Sequence, residues 1–229
     1  MMLDSKDISR LLSVSEKTLY RWIARKEIPA YKIGQTYRFN RVEIMEWATA
    51  KRIPFSNELI ENPADDEGID VNLYTCIKTG GIHYRISGTS QATVIESLVS
   101  VINLPEDVDR KQLAQALIAR EHLGSTAIGN GIAIPHVRNP VIFHIVRPIV
   151  ALCFLDNPVD FGALDRQPVT TVFTIITNTV RSHLQILSRL SYALQSAVIK
   201  PVLNSTSGRE ELFSAFGQFE SDLRARDES

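Results

Sequence analysis

Hydrophobic positions along this 229-residue chain change period several times, and each change marks a new element. Near the start Ile8, Leu11 and Leu12 share one side of a short helix that Asp4 or Ser5 can cap. Ser13-Val14-Ser15 turns the chain, and Ser15 caps a second helix from Glu16 to about Lys26. Leu19, Trp22 and Ile23 repeat there at helical spacing and should face inward, which leaves Lys17, Thr18, Arg21 and Arg25 outward. After Pro29 the period drops to two: Ala30 to Phe39 alternates around Gly34 and predicts a β-hairpin. A third helix, about Arg41 to Lys51, should bury Val42, Ile44 and Trp47 in part.

A second set of elements begins near Asp70. Ile82 to Ile86 alternates as a strand, and Gln91 to Asn103 reads as an amphipathic helix through Val94, Ile95, Leu98 and Ile102. Leu104-Pro105-Glu106-Asp107 should start another helix ending at Arg120. Farther on, Val141 to Val146, Ile149 to Leu155 and Val169 to Thr177 are strand-like, rich in β-branched and aromatic residues. A long helix from about Val180 to Ile199 carries Leu184, Leu187, Leu190 and Leu194 as its core stripe, with His183 in its first turn. Gly208 to Phe219 is a last helix, and the tail after Leu223 should fray. Strands interleaved with helices indicate an α/β sandwich around a mixed sheet.

Charge separates the two sets. Residues 1–55 hold eleven Lys/Arg against six Asp/Glu and carry +5, whereas the remainder holds fourteen against twenty and carries −6, within a net charge of −1. The stretch between them has Glu58, Glu61, Asp65, Asp66 and Glu67, no basic residue, and Pro63 and Gly68 as breakers. Three parts follow: a basic module over 1–55, an exposed acidic linker over 56–69 and a larger module over 70–229. The composition, 44% hydrophobic and 22% charged, is that of a globular protein. Cys76 and Cys153 lie far apart in apolar contexts without metal-ligand spacing and read as buried thiols in a reducing cytoplasm. No basic-then-apolar stretch opens the sequence, and the most apolar region, Val141 to Leu155, is interrupted by His144, Arg147 and Pro148, so neither an export leader nor a membrane span is expected.

The candidate chemistry lies between Arg120 and Arg138. Gly124, Gly129 and Gly131 give this stretch a backbone that can approach another molecule closely, which reads as a loop. Ile132-Ala133-Ile134 then forms a short buried strand, and Pro135 ends its pairing and presents His136 at the strand end. A neutral imidazole nitrogen with Arg120 and Arg138 nearby in sequence has what a phosphoryl acceptor needs. His83, His122 and His144 are left as structural or surface residues.

The string from Arg120 to His136, with its Gly-Ser-Thr loop and Ile-Pro-His end, resembles the active-site signature of the enzyme IIA domains of the bacterial phosphoenolpyruvate-dependent phosphotransferase system. The likeness is to the fructose/mannitol type, especially its nitrogen-regulatory branch. It implies that His136 carries a phosphoryl group received from a small phospho-histidine carrier protein, HPr-like or NPr-like. It further implies that Arg120 balances the transferred charge, and that His183, in Arg181-Ser182-His183-Leu184, is the second active-site histidine. Asn130 falls where the family places a polar or acidic residue beside the site. Val137 departs from the pattern, which has a small residue, usually Gly, after the phosphorylated histidine; a β-branched side chain there bears on the fit of the donor. In the implied mechanism one nitrogen of His136 attacks phosphorus in line while His183 hydrogen-bonds the phosphoryl oxygens or orients His136. No metal or cofactor is required.

Residues 3–50, with Ser-x-x-Thr-Leu-Tyr-Arg-Trp-Ile and Ile-Pro-Ala-Tyr-Lys-Ile-Gly, resemble the excisionase-type members of the MerR-like winged helix-turn-helix family. The resemblance implies that Ser15, Lys17, Thr18 and Arg21 reach bases and phosphates in the major groove of DNA. Lys32 and Arg38 would hold the wing on phosphates. The combined expectation is a regulatory phosphocarrier whose phosphorylation state controls transcription. Two rivals are a transport component that passes phosphoryl to a IIB domain, and a vestigial sensor that binds partners without being phosphorylated. No heptad repeat is present, so a homodimer, if one forms, needs another interface.

Overall fold

A computed structural model describes residues 2–51, 53–56, 71–137 and 145–227. Nearly all of the acidic linker, Arg138, His144 and the first four residues of the strand expected over Val141 to Val146 lie outside the described residues, and Ile145 and Val146 are not in a strand. The chain divides into two compact units, Met1–Gly68 and Ile69–Ser229.

The first unit opens with a two-residue strand, β1 (Met2–Leu3), and a helix, α1 (Ser5–Leu11). Asp4 caps α1 in a reciprocal box with Asp7, and the Asp7 backbone N–H, ahead of other influences, holds the Asp4 carboxyl below its ordinary range. Ser13, at φ 53°, turns the chain, and Ser15 Oγ caps α2 (Glu16–Ala24) by accepting from Thr18 N at 3.2 Å. The hairpin is β2 (Tyr31–Ile33) and β3 (Thr36–Asn40), and Gly34 takes the positive φ, 62°, that a two-residue turn asks of its first position. β1 adds to the outer edge of β3, a pairing the alternation pattern did not announce. Asn40 Oδ1 accepts from Val42 N at 3.0 Å to start α3 (Arg41–Lys51). Trp22 and Trp47 meet edge to face at 5.1 Å between centroids, and Trp47 Nε1 donates to the Glu27 carbonyl, which ties α2 to α3. Beneath them Leu19, Phe39, Ile44, Met45 and Ala48 are fully buried.

The second unit is a five-stranded mixed sheet covered on both faces. It begins with α4 (Leu73–Gly80), a helix not anticipated above, which is capped by Asn72 and buries Leu73, Cys76, Ile77 and Gly80. β4 (Ile82–Ile86), α5 (Gln91–Val101) and α6 (Arg110–His122) follow. The last of these starts later than Leu104, because Asp109 rather than Pro105 supplies the cap, accepting from Lys111 N and Gln112 N. Then come β5 (Ala127–Gly129), β6 (Ile132–Ala133), β7 (Ile149–Val159) and β8 (Val169–Ile176). The helix expected over Val180 to about Ile199 ends early, as α7 (Val180–Ala193), and a separate short helix, α8 (Ile199–Asn204), follows it. After Ala193 the chain tightens into short turns, Gln195 N donating to the Tyr192 carbonyl at 3.1 Å and Ser196 N to the Ala193 carbonyl at 2.9 Å, and Ser196 Oγ then accepts from Ile199 N at 3.1 Å where α8 begins, with Pro201 tolerated in its first turn. The last helix, α9 (Arg209–Asp227), runs past Leu223 instead of fraying there.

The sheet order is β4-β7-β8-β6-β5, with β4 parallel to β7, β6 parallel to β8, and antiparallel pairs β7/β8 and β5/β6. One face packs Val172, Ile176, Ala151 and Val137 with residues of α5 and α6 such as Ile95, Leu98, Leu113 and Leu117. The other face carries Phe173, which meets Phe216 of α9 edge to face at 6.3 Å. α4 lies so close to the sheet that a Cβ on Gly80 would fall 2.4 Å from the Val150 carbonyl oxygen. No helix among the described residues is long and apolar enough to cross a membrane.

Candidate functional site

The glycine stretch that reads as a loop is a β-hairpin. Asn130 and Gly131 form its turn, both at positive φ (54° and 71°), the geometry that two-residue hairpins require and that Asn-Gly supplies. The hairpin is hung on the sheet through β6, whose Ile132 and Ala133 pair with Thr171 and Val172 of β8. Beyond β6 the segment stays extended. Pro135 offers its carbonyl to Ile175 N at 3.0 Å, and His136 bridges Ile175 in parallel. Residues paired in a parallel bridge share a face, so His136 stands with Ile175, while Val137 turns to the opposite face and joins the core.

His136 is oriented at both ring nitrogens. Nδ1 lies 2.8 Å from the Ile134 carbonyl oxygen, and that contact requires the proton to be on Nδ1. Nε2 then carries the lone pair, and Arg120 Nε donates to it at 3.2 Å. Arg120 comes from the last turn of α6, and its Nη1 donates to the Gly124 carbonyl at 2.9 Å, which pins the guanidinium at the helix end. His183 comes from α7, with its ring 5.0 Å from that of His136 at 50°. The start of α7 is built by Thr179, whose Oγ1 accepts from Ser182 N at 3.1 Å within a capping box. The His183 N–H is already bonded to the Thr179 carbonyl, so the helix start fixes its backbone. Arg120, His136 and His183, which are 16 and 47 residues apart in sequence, thus meet at one end of the sheet.

Asn130 is not brought to this cluster. It occupies the hairpin turn at the other end of β6, roughly 15–20 Å from His136 along extended chain. There its backbone N–H donates to Asp165 at 2.7 Å. The Asn-Gly pair between apolar residues is the signal for that turn. The sequence reading also passed over Glu121 and Thr126, which are buried: Thr126 donates from N and Oγ1 to the two Glu121 oxygens at 2.9 and 2.6 Å. Such a pair carries no motif and reads only as an ordinary polar dyad until the loop is folded.

In the first unit Lys17 and Arg21 are exposed on α2, and Thr18 is half-buried. Ser15 Oγ lies 3.0 Å from Thr18 Oγ1, so these two hydroxyls are engaged with the helix cap. On the wing the register pairs Tyr31 with Arg38 and Lys32 with Tyr37. Lys32 and Arg38 therefore lie on opposite faces of the hairpin. Tyr37 meets Tyr20 of α2 edge to face at 6.2 Å, which puts the Lys32 face toward α2. Tyr31 Oη donates to the Glu43 carboxylate at 2.8 Å, so the Arg38 face looks toward α3.

Comparison with known proteins matches residues 76–218 to the family described as phosphoenolpyruvate-dependent sugar phosphotransferase system, EIIA 2. Residues 2–52 match a helix-turn-helix domain family. The nitrogen regulatory protein of Pseudomonas aeruginosa is 35% identical over 147 residues, which is 62% of this chain and 93% of that protein. The fructose-specific EIIABC component of the phosphotransferase system of Bacillus subtilis is 31% identical over 140 residues, 60% of this chain but 22% of that protein. Among solved structures, nitrogen regulatory protein IIA-Ntr from Neisseria meningitidis aligns with a TM-score of 0.54 at 26% identity, covering 63% of this chain and 98% of that one.

Proposed function

Because the chain belongs to the EIIA 2 family of the phosphoenolpyruvate-dependent phosphotransferase system and carries a helix-turn-helix domain ahead of it, we propose that it is a regulatory phosphocarrier: His136 takes a phosphoryl group from a phospho-histidine carrier protein, and its phosphorylation state governs DNA binding. The observation that carries this reading is the state of the His136 ring. With Nδ1–H committed to the Ile134 carbonyl, the Nε2 lone pair is the nucleophile and faces the Arg120 guanidinium.

Transfer then needs few steps. Nε2 attacks phosphorus along the line of the donor's P–N bond; the Nε2–P bond forms as that bond breaks, and the donor leaves as a neutral imidazole. No proton has to move, since Nδ1 keeps its own. The guanidinium of Arg120, anchored on the Gly124 carbonyl, swings from Nε2 to the phosphoryl oxygens and offsets their charge. His183, whose ring centroid lies 5.0 Å from that of His136, hydrogen-bonds those oxygens. The chemistry draws on no metal or cofactor. Donor access is compatible with Val137, whose side chain is turned into the core and away from the face that carries His136.

On the first unit, Lys17 and Arg21 of α2 are exposed as a DNA-reading surface requires, with Thr18 beside them and Ser15 serving mainly as the cap. A phosphoryl group on His136 adds a dianion to the larger unit, a change able to dock or repel a partner. We place this cycle in the cytoplasm. The test is intact-mass analysis of wild type and His136→Ala after incubation with enzyme I, phosphoenolpyruvate and carrier proteins of sugar and nitrogen type. One acid-labile phosphoryl group on the wild type and none on the variant is the expected result. The phosphorylated form is then compared with the unmodified one for DNA affinity, and equal affinity together with equal partner binding would refute the coupling. The likeness to a fructose-specific component favours one second reading, donation to a IIB domain, which the same assay exposes by onward transfer.

A further inference from the structure

The hydrogen bonds that set the His136 ring do not end at Ile134. The Ile134 N–H donates to the Thr126 carbonyl at 3.0 Å, and Thr126 donates from N and Oγ1 to the two carboxylate oxygens of Glu121 at 2.9 and 2.6 Å. Glu121 adjoins Arg120 in the last turn of α6. The chain of contacts therefore starts beside the cation that faces Nε2 and closes on the carbonyl that holds Nδ1. Both Glu121 and Thr126 are buried, at 4% and 6% exposure, so the link is sheltered from competing water.

We infer that Glu121 and Thr126 are positioning residues for the phosphoryl acceptor, which clamp the Ile134 carbonyl so that His136 keeps its proton on Nδ1 and its lone pair on Nε2. The inference rests on the phosphocarrier reading for its consequence in transfer, though not for its effect on the ring. The clamp transmits position and not charge. The N–H and C=O of Thr126 belong to different peptide planes, as do those of Ile134, so no polarisation passes through one amide. What the clamp does is hold two segments in register: the end of α6, with Arg120, and the strand that presents His136. Loosening it frees the Ile134 carbonyl, and His136 can then place its proton on Nε2 instead. That tautomer has no lone pair at Nε2 to attack phosphorus.

The test uses the full chain with Glu121→Gln, Thr126→Val and the conservative Thr126→Ser. The imidazole ¹⁵N shifts of His136 report the tautomer directly, before any phosphoryl transfer. The Nδ1–H form should dominate in wild type and Thr126→Ser, and the Nε2–H share should rise in Glu121→Gln and Thr126→Val. Single-turnover transfer from the phosphorylated carrier should slow by about ten- to a hundredfold in those two variants at saturating donor. The half-saturating donor concentration should stay unchanged, a split that general damage to the docking face would not produce. If Thr126→Val fails to fold, Glu121→Gln, which replaces one oxygen, decides alone. Wild-type tautomer ratio and transfer rate in folded Glu121→Gln overturn the inference. If wild type itself accepts no phosphoryl group, the tautomer ratio still decides the positioning role, and the failure counts against the phosphocarrier reading alone.

Discussion

Replacing Val137 by glycine separates two accounts of this position. If the side chain crowded an incoming carrier protein, its removal would speed transfer and cost little stability. The structure assigns it to the core instead: Val137 is 3% exposed and packs within the cluster that joins β6 and β8 to α5 and α6. Burying a valine side chain stabilises by about 1.5–3 kcal/mol, and glycine adds roughly 0.5–1 kcal/mol of backbone freedom in the unfolded chain. Part of the void would relax, so the net loss for Val137→Gly is about 2–4 kcal/mol. For a unit of this size that lowers Tm by roughly 5–15 °C. Both tryptophans, Trp22 and Trp47, lie in the first unit, so their fluorescence would miss the event. Far-UV circular dichroism in urea or on heating is the appropriate probe. The rate of phosphoryl transfer by the folded variant should stay within about twofold of wild type. A variant as stable as wild type that accepts phosphoryl markedly faster would refute the assignment.

Arg120→Ala should slow transfer by about 10²–10³, the scale for losing one donor to developing charge, with Arg120→Lys recovering part of it; a loss under tenfold in single-turnover assays counts against its role. Arg21→Ala should weaken binding to a specific DNA site by about 1–3 kcal/mol in a competition assay if it reads a base, and equal loss on all sequences would make it a phosphate contact. Gly80→Ala should destabilise by about 1–3 kcal/mol in urea titration, because its Cβ would sit 2.4 Å from the Val150 carbonyl and neither backbone can yield freely. Burial pushes the thiols of Cys76 and Cys153 up from 9.0 to about 12. The unfolded chain loses those protons first, so stability should fall as pH rises from 9 toward 12, and substitution of both by alanine should flatten that limb of the pH profile.

Local chemistry made much of this molecule legible. Asp4, Ser15, Gly34 and the leucines of α7 act where their residue types predict, since a cap, a positive φ or a helical stripe is satisfied by neighbours a few residues away. Misreadings arose where two local signals competed. Pro105 and Asp109 both suit a helix start, and Asp109 prevailed because its carboxylate bonds two backbone donors that would otherwise be open. The three glycines after Arg120 suggested a loop, but the Asn130-Gly131 pair needs only two positive φ values to make a hairpin, and the apolar residues around it supply its strands. α4 was missed although Leu73, Cys76, Ile77 and Gly80 recur at helical spacing and are all buried: a cysteine and a glycine in the stripe make a weak apolar signal, and close packing of Gly80 against β7 is visible only in the fold.

The site itself shows why a motif located His136 while spacing could not find its partners. The residues that converge on the ring come from the end of α6, the strand end after β6 and the start of α7, and only the sheet order makes these neighbours. β6 and β8 run parallel, so both finish at the same edge, and the chain leaving β8 enters α7 at once. Any residue early in α7 is thereby delivered beside whatever follows β6, much as open parallel sheets gather their ligand sites at strand C-termini. The same topology sends Asn130 to the far end, because the β5/β6 turn precedes β6. Parallel pairing through His136 and Ile175 completes the logic: it extends the register past Pro135, turns Val137 into the core, and leaves the imidazole on the face where His183 arrives. A change that shifted this bridge by one residue would exchange the faces of His136 and Val137, burying the imidazole among α5 and α6 and removing it from Arg120.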